Sequence, residues 1–268
     1  MKNFVYLIIN TVTLVFALVM NALSGTGAFE GRTVGEVSAM FENPFTPAGY
    51  VFAIWGLIYL LLIAFVVHQW VAWSNGKGDP EFRQTGPWFA IANLANGFWI
   101  LAWLNMHIGL SLVIIFVLLL SLITLTVRLK LELWDAPLRI IAFVWWPVTV
   151  YLGWIVVAVV ANVTVYLTSI GWEGGFLTEG SWTILLIGVG TIIYLLLVNF
   201  RNMREAAIVG IWAFIGIAVR HWDANPAIAW MAIAASLVLL ISAGSHAYKN
   251  RATLPFVRRF YEKSSSME

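Results

Sequence analysis

Eight runs of apolar residues divide this chain almost end to end: 4–23, 48–73, 87–106, 109–131, 138–168, 181–200, 206–219 and 226–248. A bilayer core asks for about 20 apolar residues per crossing helix. The fifth run is long and the seventh is short. The connections between them are brief: NGKGDPEFRQTG, the His107-Ile108 pair, the RNMRE corner and HWDAN. With 61% hydrophobic and 10% charged residues and a mean hydropathy of +0.88, no segment is polar enough to build a second, soluble domain. Soluble domains carry about a quarter charged residues. The expected fold is an all-α polytopic membrane bundle of eight transmembrane helices.

Charge sets the expected orientation. An even number of crossings puts both termini on one side. Of the fifteen Lys and Arg residues, all but Arg32 and Arg220 fall on that side. The positive-inside rule then places both termini in the cytoplasm, and a bacterial plasma membrane is the expected site. The tail 249–268 is basic and aromatic and reads as an anchor at the anionic inner leaflet. The first run also has the basic start and trailing small residues of a signal peptide. Its near-full span length favours retention as the first helix.

The spans lack chemistry of several kinds. All 13 carboxylates lie in loops, at span ends or in the tail. Intramembrane charges mark ion pathways and proton relays, so ion-coupled pumping is disfavoured. No lysine lies inside a span, so no retinal Schiff base can form. Cys is absent, which removes disulfides and thiolate sites. His68, His107, His221 and His246 are all off mid-span, and no metal site or catalytic residue is assigned. The Asn162-Val163-Thr164 sequon lies inside an apolar run and reads as a chance match.

The spans do contain aromatics and amides. Of fifteen tryptophans, Trp70, Trp73, Trp88, Trp134, Trp172, Trp182 and Trp222 sit at span ends, where tryptophan collects at the membrane interface. Trp55, Trp99, Trp154, Trp212 and Trp230 fall inside spans, where an indole N–H wants an acceptor. Asn10, Asn21, Asn93, Asn96, Thr149, Tyr151 and Asn162 are the intramembrane polar residues, and interhelical hydrogen bonding is their plainest role. Tyr151, Trp154, Ala158 and Asn162 are spaced 3, 4 and 4, which puts them on one helical face. Tyr50, Phe52, Trp55, Asn96 and Trp99 fall at the same depth in their own spans. Together these residues read either as helix packing or as the wall of an apolar cavity with sparse polar anchors. The loop 24–46 lies on the same side and is placed to cover it.

The same residues resemble the tryptophan-rich sensory protein and translocator protein family (TspO/MBR), five-helix membrane proteins. Phe45, Pro47, Tyr50, Phe52, Trp55 and Tyr59 follow that family's second-helix pattern, with Ala48 for its second proline and Tyr50 for a tryptophan. Asn96 and Trp99 match its N-x-x-W. Tyr151, Trp154, Ala158 and Asn162 match its fifth-helix motif without gaps, while Val150 replaces the proline before it. The resemblance covers residues 1–168. It implies a five-helix bundle there; the three helices expected over 169–248 and the tail 249–268 have no counterpart in the five-helix pattern. It also implies a ligand site formed by Tyr50, Phe52, Trp55, Asn96, Trp99, Tyr151, Trp154, Ala158 and Asn162.

The ligand implied is porphyrin or haem, a sterol-like lipid or a carotenoid, with a sensory, transport or regulatory role. No cofactor is required. The partners expected are a hydrophobic small molecule and the bilayer, with no nucleic acid, and a homo-oligomer is admitted. The alternatives are an eight-helix small-molecule transporter, or a membrane enzyme drawing its acid–base groups from Glu30, Arg32, Glu36 and Glu42. Enzymatic activity is the less favoured.

Overall fold

The computed structural model describes residues 2–29, 31–41, 43–76 and 84–250. Glu30, Glu42 and the tail beyond Asn250 lie outside the described residues. The described chain is helical throughout, with no strand. The helices whose bounds lie within the described residues follow in order: α1 (Lys2–Gly25), α2 (Val34–Met40), α3 (Ile54–Ser74), α4 (Trp88–Leu104), α5 (Ile108–Arg128), α6 (Leu138–Ser169), α7 (Glu179–Arg201), α8 (Arg204–His221) and α9 (Pro226–Lys249). A 3-10 segment, Gly49–Ala53, leads into α3.

Each of the eight apolar runs is a helix, and six are long and apolar enough to cross a membrane. The other two differ for physical reasons. α4 has 17 residues, short of a full crossing. α8 has 18 residues and carries Arg204, Glu205 and Arg220 in its end turns. The chain is an integral membrane protein of helical class.

α2 falls inside the 24–46 connection. Thr33 accepts from the Glu36 backbone N–H at 3.3 Å, and the Thr33 N–H donates to the Glu36 carboxylate at 2.7 Å. This reciprocal capping starts a helix wherever Ser or Thr precedes Glu by three. Glu36, named above among the acid–base groups of the enzyme alternative, is therefore a helix-capping residue.

α6 is one long helix with a π turn over Ile141–Trp145. Pro147 explains it. Proline has no N–H to give the preceding turn, and its ring crowds the carbonyl four residues back. Widening the turn relieves both, and the Trp146 N–H bonds instead to the Ile141 carbonyl.

The helices form two joined groups. α4 packs between α1 and α5, and α6 closes the group against α5 and α3. α7, α8 and α9 pack on one another, and α8 joins them to α6. The joint is made by small residues. A Cβ on Gly153 would lie 2.9 Å from the Ala206 backbone, and one on Gly210 would lie 2.4 Å from the Tyr194 ring. Such residues let helix backbones approach in lipid, where no hydrophobic force drives them together. The Tyr194 hydroxyl completes the joint, donating to the Gly153 carbonyl at 2.7 Å.

The loop end of the bundle holds α2, the α4–α5 corner, the α6–α7 connection and the α8–α9 corner. There α8 grips the segment that leads into α3. The Ala48 N–H donates to the Gly216 carbonyl at 3.1 Å. Trp212 donates to the Val51 carbonyl at 3.0 Å and Arg220 to the Thr46 carbonyl at 2.8 Å. His221 Nε2 lies 2.7 Å from the Pro44 carbonyl. Thr46, Ala48 and Val51 are thus fixed by α8, from outside the group formed by α1 and α3 to α6.

Candidate functional site

Below the loop end, four aromatic rings stack in series. Trp103 lies on Trp99 with centroids 5.4 Å apart, Trp99 on Trp55 at 6.3 Å, and Trp55 on Tyr59 at 5.6 Å. The helices supply the spacing: Trp55 and Tyr59 on α3, and Trp99 and Trp103 on α4, are each four residues apart and share a face. Trp154 of α6 stands edge-on to both Trp55 and Phe52, at 6.2 Å and 6.0 Å.

Phe52, Trp55, Trp99, Trp103 and Trp154 line a cavity of about 30 Å³, together with Val34 and Ser38 of α2, Pro47, and the α6 residues Val157, Ala158, Ala161 and Asn162. That is room for about one water molecule. The wall holds no carboxylate, amine or histidine among the described residues.

The polar groups of the wall divide into used and unused. Trp99 Nε1 donates to the Asn162 side-chain oxygen at 2.8 Å, and the Asn162 amide donates to Ser111 at 3.1 Å. Trp103 Nε1 donates to the Val34 carbonyl at 3.1 Å, tying α2 down over the cavity. Trp154 Nε1 is buried and has no partner. An indole N–H held away from water normally finds an acceptor. Among the described residues that line the cavity, Trp154 is the one with a buried, unpartnered side-chain polar atom.

Behind the aromatic wall lies a polar set. The Tyr59 hydroxyl donates to the Asn96 side-chain oxygen at 2.8 Å. The Asn96 amide nitrogen and the Tyr151 hydroxyl complete this buried set. Tyr151 meets Trp55 edge-on at 6.0 Å.

The model of the TSPO-like protein family matches residues 7–245. The chain belongs to that family. The match runs from within α1 to within α9, so α7, α8 and α9 lie within the family pattern as well as α1 to α6. Neither curated proteins nor solved structures give a match.

The TSPO-like chain brings six of its nine sequence-derived site residues to the cavity: Phe52, Trp55, Trp99, Trp154, Ala158 and Asn162. Asn96 and Tyr151 stand behind them in the buried polar set. Tyr50 is not brought in. It is 44% exposed and lies edge-on to Trp212 of α8 at 5.3 Å. Residues two apart on a helix do not share a face, so Phe52 facing inward sends Tyr50 outward. The tryptophan-to-tyrosine exchange thus falls outside the cavity.

Sequence reasoning missed Trp103, Ser111 and the α2 residues Val34 and Ser38. Trp103 was legible, four residues beyond Trp99 on the same face. Ser111 was not, because nothing in a lone serine near a helix start points to Asn162.

The other intramembrane residues mostly bind helices together. Asn10 donates to Gln69 at 3.1 Å, joining α1 to α3. Trp230 was expected to be interior. It is 62% exposed and pairs with Trp222 at 5.8 Å. It sits one turn into α9 and belongs with the interfacial tryptophans. His68 stacks on Phe143, whereas His246 lies beside Asn250.

Proposed function

We propose that this TSPO-like protein binds a flat or elongated apolar ligand carrying a hydrogen-bond acceptor. The ligand classes are porphyrin or haem, sterol-like lipid and carotenoid. The supporting observation is the unpartnered Trp154 indole N–H in a cavity otherwise walled by stacked rings. Ring faces supply stacking, and one uncontested donor supplies orientation. With no acid, base or nucleophile pair in the wall, the chemistry offered is recognition, in a sensory, transport or regulatory role.

Ligand pockets usually measure about 300–1,000 Å³, against about 30 Å³ here. Binding therefore requires opening. The movable wall is α2, held by Trp103 to Val34 and by Arg32 to the Leu104 carbonyl at 3.3 Å. In this reading both termini face the cytoplasm and α2 opens on the opposite side.

The test uses purified protein in nanodiscs titrated with protoporphyrin, a sterol and a carotenoid, read by tryptophan quenching. At least one must bind saturably at one site. Saturable binding without net flux into proteoliposomes supports a sensor. Flux supports a transporter. No saturable binding by any of the three rejects the proposal.

A further inference from the structure

α6 and α7 touch at mid-membrane, where Tyr194 bonds to Gly153, and separate toward the loop end. The space between them is a cleft of about 370 Å³, distinct from the tryptophan cavity. Its walls are mostly aliphatic along α6 and α7, with Val159, Val163, Leu167 and Leu186 among Thr164, Thr168 and Thr183, and Asn43 and Pro44 complete the lining. On α6 it extends from Val159 to Thr168, about 14 Å of helix at 1.5 Å per residue. That is close to the depth of one leaflet, half of a hydrocarbon core about 30 Å thick.

The mouth differs from the interior. Trp172 and Trp182 stand there with centroids 5.5 Å apart. Trp182 is fixed by its indole bond to the Gly174 carbonyl at 2.7 Å. Gly174 itself is at φ +86, and a Cβ there would lie 2.6 Å from the Leu177 carbonyl oxygen, so the turn that sets Trp182 depends on glycine. Glu179 is the one charged residue lining the cleft among the described residues. Two indole faces beside a carboxylate form an environment suited to an ammonium group.

We infer that the cleft between α6 and α7 holds one acyl chain of a membrane phospholipid from the loop-end leaflet, whose ammonium-bearing head sits against Trp172, Trp182 and Glu179. The depth matches one leaflet, the walls match a hydrocarbon chain, and the mouth carries the complementary charge.

Photo-cross-linking tests this. The full chain is placed in nanodiscs with traces of phosphatidylcholine or phosphatidylglycerol bearing a mid-chain diazirine. Adducts are mapped by mass spectrometry. The choline lipid is expected to label residues 159–168 and 179–186 at least threefold above the exposed α9 residues Leu237, Val238, Leu240 and Ile241. The glycerol lipid is expected to label them less. Val163→Trp should reduce the cleft signal to the α9 level. In the unaltered chain, excess unlabelled dodecylphosphocholine should do the same. Glu179→Gln should erase the preference between headgroups. Labelling of the cleft no greater than that of α9 would overturn the inference, as would failure of dodecylphosphocholine to compete or cross-links between two copies of the chain in place of lipid adducts.

Discussion

The indole nitrogen of Trp99 lies 2.8 Å from the side-chain oxygen of Asn162, joining α4 to α6 across the top of the cavity. Asn162 passes the link on to Ser111 of α5. Three helices are thus held by one amide, and the ring of Trp99 is oriented before any ligand arrives.

Replacing Asn162 with Leu should leave the Trp99 donor buried and unpaired. Interhelical hydrogen bonds in membranes are worth roughly 0.6 kcal/mol on average and about 1.7 at most. An unpaired buried donor adds a penalty of about 1–3 kcal/mol. Asn162→Leu is therefore expected to lower stability by about 2–4 kcal/mol in thermal unfolding. Adding Ser111→Ala should cost little more, because the link it breaks is already gone. Full additivity of the two changes would argue against a shared network.

Gly216 is the point where α8 meets the segment leading into α3. A Cβ there would lie 2.1 Å from Val51 Cγ2. Overpacking typically costs about 1–3 kcal/mol, so Gly216→Ala should destabilise by that order and loosen the Gly49–Ala53 turn to proteolysis. Val51→Ala removes the clashing methyl. The double variant is expected to be more stable than Gly216→Ala alone. If the second change gives no rescue, the close approach of α8 to Val51 is not the cause.

The basic end carries a pH-dependent feature. Burial, then the nearby Glu205 charge, pushes the Glu132 carboxyl up to about 8, with Arg204 opposing. The folded chain thus holds a proton on Glu132 that the unfolded chain gives up near the ordinary value of 4.5. By linkage, its contribution to stability is full below 4.5, falls as pH rises toward 8, and falls no further above that. Glu132→Gln keeps the neutral form at every pH. The stability gain of Glu132→Gln over the unaltered chain should therefore grow from pH 5 to pH 8 and then level off, measured by thermal unfolding. A gain independent of pH would contradict the assignment.

Much of the bundle is legible in the sequence because helices in lipid are written as long apolar runs. The α6 stripe is legible for the same reason: Trp154, Ala158 and Asn162 follow helical spacing on a single element. What the sequence conceals is how elements meet. Tyr50 and Trp55 are neighbours in a motif, yet the helical turn between them sends Tyr50 to Trp212. Arg220 reads as a stray charge until α8 is docked and its guanidinium meets the Thr46 carbonyl. The short α2 was readable from Thr33 and Glu36, whose spacing is that of a capping box. The size of the cavity has no sequence signal, since it depends on how far three helices stand apart.

The central claim is that the tryptophan cavity receives a ligand whose acceptor meets Trp154. Equilibrium titration with the tightest of the candidate ligands, on the unaltered chain, Trp154→Phe and Ala158→Trp, tests it directly. Phe keeps the ring and removes the N–H. One lost hydrogen bond of about 1.4 kcal/mol corresponds to a tenfold change in Kd, so Trp154→Phe should bind about tenfold more weakly. Ala158→Trp fills the cavity and should abolish binding while the helical circular-dichroism signal is retained. Equal affinity in all three proteins would contradict the claim.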